Sequence, residues 1–251
     1  MLELERREGA DVLWLDRPPV NALDLDLLDA LAGTVDEIEE TSGAPLLIAG
    51  RGRAFSAGAD LHRVLAGDAA YAAACVAGLV RAFGTLFRFP RPLVGAINGH
   101  ALAGGAIVAC CCDYRVAAAG AAKIGVTEHA VGVPFPLTAL EIVRHAVAPE
   151  RFEEAVFLAR TYSPAEAVAI GYVDEVAEPD EVLARALEVA GQLGRVPATT
   201  YSLIKEAVRR PVLERIAAHE GAHDPRAVEG WQSEHVKDAI REFLDRTLKK
   251  G

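Results

Sequence analysis

The sequence has little cysteine, little positive charge and no arrangement of cysteines that forms a known site. Its four cysteines are Cys75 and the run Cys110 to Cys112, a spacing that matches neither a disulfide framework nor the CxxC pairs of a zinc site. The formal net charge of -10 disfavours nucleic acid, because neutralising phosphates requires an excess of lysine and arginine. We expect small buried cysteines and no nucleic-acid partner.

Long hydrophobic runs are also missing. The longest, residues 101–112, contains glycines and falls short of the roughly 20 residues that a membrane helix needs. The first residues, 1–16, carry acidic and basic side chains where a signal peptide would have an apolar core. The sequence therefore predicts a cytoplasmic protein with no membrane partner.

Several catalytic motifs are absent as well. The chain has no GxGxxG or GxxxxGK[ST] phosphate loop and no GxSxG elbow, so Ser56 is interpreted as a turn residue. HEGAH at 219–223 matches the HExxH zinc pattern, but Gly221 and the Asp224-Pro225 step argue against the continuous helix that this pattern requires. We expect no metal site.

What the sequence does contain is a repeated layout. The first 50 residues predict two strands, a helix that begins near Asp24, and a buried strand. Residues 46–66 and 93–112 share the order of strand, glycine loop and helix. From Pro149 onward the pattern is almost wholly helical. This order predicts an α/β fold.

Pro197 is interpreted as a boundary within this helical part, since the residues after it carry few strand signals. The predicted domains are a core over residues 1–197, which holds the site, and a helical oligomerisation region over residues 198–251.

Two glycine loops, residues 55–60 and 100–105, are candidate binding elements. Small residues leave the backbone open to whatever binds there, and amides at the start of a helix carry partial positive charge. Such turns can hold a developing oxyanion. Tight glycine turns also connect strands to helices without binding anything, so either loop alone favours a structural role.

Five segments taken together resemble the enoyl-CoA hydratase/isomerase, or crotonase, family. They are PPVNAL at 18–23, GRAFSAGADL at 52–61, INGHALAGGAIVACCCDYR at 97–115, IGVTEHAVGV at 124–133 and SPAEAVAIGYVDEV at 163–176. The resemblance covers nearly the whole chain. It implies a superhelix of repeated ββα units with a C-terminal helical region, and an acyl-CoA substrate without a separate cofactor. It also implies a homotrimer or a dimer of trimers.

The resemblance also implies which residues bind the substrate. The backbone N–H groups of Ala59 and Gly104 would be the two oxyanion donors. The other residues that these motifs place at the substrate are Asn21, Ala22, Leu23, Ala57, Gly58, Asp60, Leu61, His62, Gly105, Ile107 and Phe135. Arg53 and Lys205 are candidates for contacts to the phosphates of coenzyme A.

Two positions bear on the reaction. Hydratases of the family use two glutamates, and the matching residues here are Ile107 and Glu128. Moving a double bond needs one base, which removes a proton from C2 and returns it at C4. A single glutamate therefore favours isomerisation with Glu128 as the proton shuttle, and the CDYR segment at 112–115 resembles mitochondrial-type Δ3,Δ2-enoyl-CoA isomerases. A pocket of Ile107, Val133 and Phe135 should raise the pKa of Glu128.

Three alternatives stay open. The protein could be a hydratase with one glutamate, could catalyse thioester hydrolysis or decarboxylation with the same amides, or could bind acyl-CoA without catalysis. His129 and Glu141 stay open as helpers of Glu128. His62 and His100 adjoin the glycine loops, where a histidine is more often packed or solvated than catalytic.

Overall fold

The computed structural model describes residues 1–7 and 9–248, whose strands form two sheets. The strands are β1 (Leu2–Arg7), β2 (Ala10–Leu15), β3 (Leu46–Gly50), β4 (Ala54–Ser56), β5 (Leu93–Ile97), β6 (His100–Leu102), β7 (Tyr114–Ala118), β8 (Ile124–Gly125) and β9 (Glu175–Ala177). The large sheet has the order β1-β2-β3-β5-β7-β9 and the small sheet the order β4-β6-β8. β1 is antiparallel to β2, and the remaining pairs are parallel.

Helices follow the strands and make up most of the second half of the chain. They are α1 (Leu25–Thr41), α2 (Leu61–Ala66), α3 (Ala69–Arg88), α4 (Gly104–Cys110), α5 (Glu128–Val131), α6 (Leu137–Ala146), α7 (Phe152–Phe157), α8 (Pro164–Ile170), α9 (Val182–Leu193), α10 (Ala198–Gln232) and α11 (Glu234–Leu248). The helix predicted near Asp24 is confirmed, and the side chain of Asp24 caps α1 by accepting from the Leu27 amide at 2.9 Å.

Three successive repeats have the same construction. In β3-β4-α2, β5-β6-α4 and β7-β8-α5, the first strand joins the large sheet, the second joins the small sheet, and a helix follows. The sequence predicts glycine loops at residues 55–60 and 100–105, and the structure places the short strands β4 and β6 within or beside them. Strands of three residues are too short to give a recognisable alternation of side chains.

The large sheet is buried on both faces. One face contributes to the main core with α1 and α3, and the other packs against α9 through a second apolar cluster. Strands β3 and β5 are buried at every residue, as expected for parallel strands covered by helices on both sides. The four cysteines are buried and unpaired in the described chain, which confirms their interpretation as small core residues.

Helix α3 is, among the described helices, the one long and apolar enough to cross a membrane by length and composition alone. Half of its apolar stretch is buried inside the protein. Its buried residues, among them Leu79 and Phe83, belong to the main core with α1. This placement is that of a core helix.

The long helix α10 begins directly after Pro197 and continues through Pro211 and Pro225. The expected break at Asp224-Pro225 is therefore wrong. Packing outweighs the lost proline amide here, because the Asp224 side chain accepts from the Leu137 amide at 2.8 Å and ties this part of α10 to α6. The division into a core of residues 1–197 and an oligomerisation region of residues 198–251 stays a prediction.

Asp113 ties the other end of α10 to the core. Its carboxylate accepts from Lys205 at 2.7 Å, from Arg209 at 2.6 Å and from the Tyr201 hydroxyl at 3.0 Å. It also accepts from the Leu93 amide at 2.8 Å, at the start of β5. One partly buried carboxylate thus joins the helix to the large sheet.

Candidate active site

The candidate site lies where the three strands of the small sheet end. Parallel strands have their carboxyl ends at one edge. The segments that leave β4, β6 and β8 at this edge contain Ala59, Gly104 and Glu128 respectively. The architecture therefore brings together three residues that the sequence separates by 24 to 69 positions.

The backbone N–H of Ala59 points away from Leu23, the residue with which Ala59 is paired. Leu23 donates to the Gly58 carbonyl at 2.8 Å and accepts from the Asp60 amide at 3.1 Å. Since successive amides of an extended segment point to opposite sides, the N–H of Ala59 points away from Leu23. Ala59 lines the cavity, and no described protein group accepts from its amide.

Asn21 holds this first loop in place and does not reach the cavity. Its side-chain amide donates to the carbonyls of Arg51, Ala54 and Phe55 at 2.9 to 3.2 Å. The Ser56 hydroxyl donates back to the Asn21 carbonyl at 2.7 Å, which fits the interpretation of Ser56 as a turn residue. Asn21, predicted at the substrate, therefore shapes the loop from behind.

Gly104 provides the second amide, as the first residue of α4. The preceding residue, Ala103, has φ +48°, which an L-residue adopts only under strain. A Cβ on Gly105 would lie 2.2 Å from the Ser56 carbonyl oxygen, and one on Gly58 would lie 2.9 Å from the Gly104 nitrogen. The two loops are thus in direct contact, and in the described chain the Gly104 N–H has no protein acceptor.

Both amides border an apolar cavity of about 220 Å³. Its wall comprises Ala57, Ala59, Leu61, Leu79, Phe83, Leu102, Ala103, Gly104, Ile107, Thr127, Glu128, Val131, Val133, Pro136, Ala139, Trp231 and Phe243. Among these described wall residues, Glu128 alone has an ionisable side chain.

Glu128 is the first residue of α5 and is only 7% exposed. Its Oε2 atom has no hydrogen-bond partner within the described structure. Burial raises the pKa of Glu128 to about 7, against the opposite effect of hydrogen bonds from the Glu128 and Thr127 amides. A carboxylate with this pKa can both take and return a proton near neutral pH.

Of the three residues predicted to form the apolar pocket around Glu128, two line the cavity. Ile107, 2% exposed, and Val133 line the cavity. Phe135 does not; it lies in the core, and Pro136 takes its place in the wall. Its backbone carbonyl is hydrogen-bonded to the His223 ring at 2.9 Å. The placement of Phe135 at the pocket is corrected accordingly.

Several other predicted residues lie outside the cavity wall. Leu23 and Gly105 are buried directly behind the two loops, and Ala22 is half-buried beside them. Asp60 caps α2 by accepting from the Arg63 amide at 3.1 Å. His62 is exposed on α2.

The two candidates for phosphate contacts, Arg53 and Lys205, differ in their exposure. Arg53 is exposed next to the first loop. Lys205 is buried, and its ammonium group donates to Asp113 and to the Arg91 carbonyl at 2.9 Å. It borders a separate, more open depression of about 440 Å³. Two of its three N–H donors are used for anchoring α10, and Lys205 lies outside the wall of the candidate cavity, so the structure does not support its predicted phosphate contact.

The two candidate helpers of Glu128 interact with residues outside the cavity wall. Glu141 accepts from Arg144 at 3.1 Å and from Arg215 at 2.7 Å. His129 is exposed and contacts Phe157 edge to face. In the described chain no three His, Cys, Asp or Glu residues are grouped to hold a metal ion, the HEGAH segment included.

Trp231 and Phe243 were missed by the sequence analysis, as were Leu79 and Phe83. The last two are four residues apart, on one face of α3, a spacing visible in the sequence. Trp231 and Phe243 come from the C-terminal helices, more than 100 residues from Glu128. No local signal indicates that they reach the cavity.

Two free amides facing an apolar cavity, with one poorly solvated carboxylate beside them, define a site for polarising a carbonyl and moving a proton at a neighbouring carbon. Residues 5–249 match the family model described as enoyl-CoA hydratase/isomerase. The chain belongs to this crotonase family, and it is an enzyme of that family by its relatives and fold.

Curated relatives include both kinds of enzyme. Mitochondrial enoyl-CoA delta isomerase 1 of Mus musculus is 29% identical over 253 residues, covering 100% of this chain and 86% of that protein. A putative enoyl-CoA hydratase of Thermus thermophilus is 30% identical over 252 residues, covering 98% of each.

Among solved structures, human mitochondrial delta3-delta2-enoyl-CoA isomerase matches with a TM-score of 0.93 at 26% identity, over 99% of this chain and 98% of that one. The predicted family and crotonase fold with a C-terminal helical region are confirmed.

Proposed function

We propose that this protein is a Δ3,Δ2-enoyl-CoA isomerase. The observation that carries the proposal is Glu128, the single ionisable side chain in the described cavity wall, with Oε2 free and Ile107 apolar where a second carboxylate would be needed for hydration. A mitochondrial isomerase among the relatives supports the same reaction.

In the proposed reaction, the thioester carbonyl oxygen accepts hydrogen bonds from the Ala59 and Gly104 amides. A well-placed donor of this kind is worth about 2.7–4 kcal/mol in the transition state. Glu128 takes the proton from C2, the electrons of the C2–H bond form the dienolate, and the same proton is returned at C4. The double bond moves from C3–C4 to C2–C3, and no atom is gained or lost.

Hydration is the second candidate, favoured by the hydratase name of the Thermus thermophilus relative. It requires a group that activates water in addition to the group that handles the proton. Ile107 cannot do either, so a hydration reaction here would depend on Glu128 alone.

We further propose that the protein acts in the cytoplasm without a cofactor, as a homotrimer or a dimer of trimers. On α10, Leu203, Ile204 and Val208 expose more than half of their surface, and burying such residues in an interface is favourable. Arg53 remains the candidate for contacting the coenzyme A phosphates.

The test is a paired assay with trans-3-hexenoyl-CoA and trans-2-hexenoyl-CoA, using wild type and Glu128→Gln. We expect isomerisation of the first substrate, lost in the variant, with no hydration of the second. Glu141→Gln, which alters a buried glutamate outside the cavity, should keep the isomerase activity. Hydration by the wild type would replace the proposal by the hydratase, and binding without turnover would replace it by a non-catalytic role.

A further inference from the structure

The cavity has a definite direction along α3. A Cβ added to Gly104 would lie 3.5 Å from the tip of the Phe83 ring, so Phe83 marks the end with the oxyanion amides. Leu79, also in the wall, is about one helical turn, or ~5.4 Å, nearer the start of α3. A chain held at Gly104 by its carbonyl therefore extends toward Leu79.

Trp231, near the end of α10, is also part of the cavity wall, and the contact of its neighbour with the start of α3 places it toward that other end. Its indole N–H donates to the Pro134 carbonyl at 2.8 Å, and the ring is 3% exposed. The next residue, Gln232, donates to the carbonyl of Ala69, the first residue of α3, at 3.0 Å. These two bonds attach the end of α10 to the segment before α6 and to the start of α3, and they hold the indole in place.

The enclosed space is small. A dry cavity of about 150 Å³ holds one benzene molecule, so the 220 Å³ here holds about nine non-hydrogen atoms by the same proportion. The thioester carbon and oxygen take two of these places.

We propose that Trp231 sets the length limit of the acyl group. With the carbonyl oxygen in one of the nine atom places, the cavity has room for an acyl group of about six to eight carbons. This inference rests on the proposed acyl-CoA site and names its substrate class.

The experiment uses saturated acyl-CoAs of four to twelve carbons, which bind but have no double bond to move. In a Trp14→Phe background, Trp231 is the remaining indole, and its fluorescence reports when a chain reaches the wall. We expect the emission change to begin at six to eight carbons, and dodecanoyl-CoA to bind at least 10-fold more weakly than hexanoyl-CoA by calorimetry.

Trp231→Ala should remove most of that difference by binding dodecanoyl-CoA at least 10-fold more tightly than the wild type does. Trp231→Leu provides the same readout if the alanine variant does not fold, and Trp14→Ala removes an equal side chain outside the cavity as the control. Equal ranking of chain lengths in wild type and both Trp231 variants would overturn the inference. Acyl-CoA binding with a length limit but no isomerisation would overturn only the proposed reaction.

Discussion

A Cβ atom on Gly58 would lie 2.9 Å from the amide nitrogen of Gly104, although the two glycines belong to different repeats. Real Cβ atoms essentially never approach another heavy atom so closely. The spacing of the two proposed oxyanion amides is therefore fixed by backbone packing between the repeats, and any side chain at Gly58 must push the loops apart.

Gly58→Ala should lower kcat/KM for isomerisation by at least 100-fold, because displacing one oxyanion donor costs about 10²–10³ in rate. It should also destabilise the fold by about 1–2 kcal/mol, since the φ of +84° at this position is unfavourable for alanine. Steady-state kinetics and urea unfolding measure the two effects.

The control is Gly33→Ala, in the middle of α1, where an added Cβ meets no atom within 4 Å. This substitution should leave activity unchanged and stabilise the protein by about 0.5–1 kcal/mol. Wild-type kinetics in Gly58→Ala would show that the contact does not set the donor geometry.

Isomerisation should depend on pH through Glu128. The base acts as a carboxylate, so kcat/KM should rise with pH and level off above the pKa of about 7. The measurement is kcat/KM for trans-3-hexenoyl-CoA between pH 4 and 9. A plateau already reached near pH 5 would mean that Glu128 is well solvated, contrary to its burial.

The same burial should affect stability in the opposite direction. The pKa of Glu128 is raised from 4.5 to about 7 on folding, so the folded protein binds the proton more tightly and loses stability as pH rises between these values. At about 1.4 kcal/mol per tenfold change in affinity, the loss is on the order of 3 kcal/mol.

Glu128→Gln cannot lose a proton and should escape this loss. Its free energy of unfolding relative to wild type should therefore improve by about 2–3 kcal/mol between pH 5 and pH 8. Urea titrations at both pH values measure the difference, with Glu141→Gln as a second buried glutamate. A difference independent of pH would contradict the raised pKa.

Asp113→Ala should destabilise the protein by about 3–5 kcal/mol, because it leaves two buried cations, Lys205 and Arg209, without their carboxylate. The matched control is Glu206→Gln, which breaks the exposed pair with Arg210 on the same helix and should cost less than about 1 kcal/mol. Similar urea midpoints for both variants would show that Asp113 does not anchor α10.

The sequence was sufficient to predict those features of the fold and the site that depend on a short stretch of the chain. The start of a helix near Asp24, the two glycine loops and the contrast between Ile107 and Glu128 are all visible in short segments. Phe135 was misplaced because the segment between α5 and α6 is irregular, and in such a segment one position decides whether a side chain faces the cavity or the core. The periodicity of helices and strands gives no orientation there.

The remaining differences come from contacts between distant parts of the chain. Lys205 is the sort of basic residue that could meet a phosphate, and only the folded structure shows that Asp113 already binds it. Trp231 looks like any helical core residue in the sequence. Its position in the cavity follows from the path of α10 along α6 and α3, which no local pattern encodes.

The division between backbone and side chain at this site has an evolutionary consequence. In the proposed reaction the carbonyl is held by the backbone amides of Ala59 and Gly104, which mutation cannot remove while the loops keep their shape, whereas the proposed base is the exchangeable side chain of Glu128. Single substitutions at positions such as 107 and 128 can therefore add, delete or relocate a proton carrier and leave the hydrogen bonds to the carbonyl intact. Such a lineage can change its reaction in small steps without passing through a protein that no longer binds its substrate.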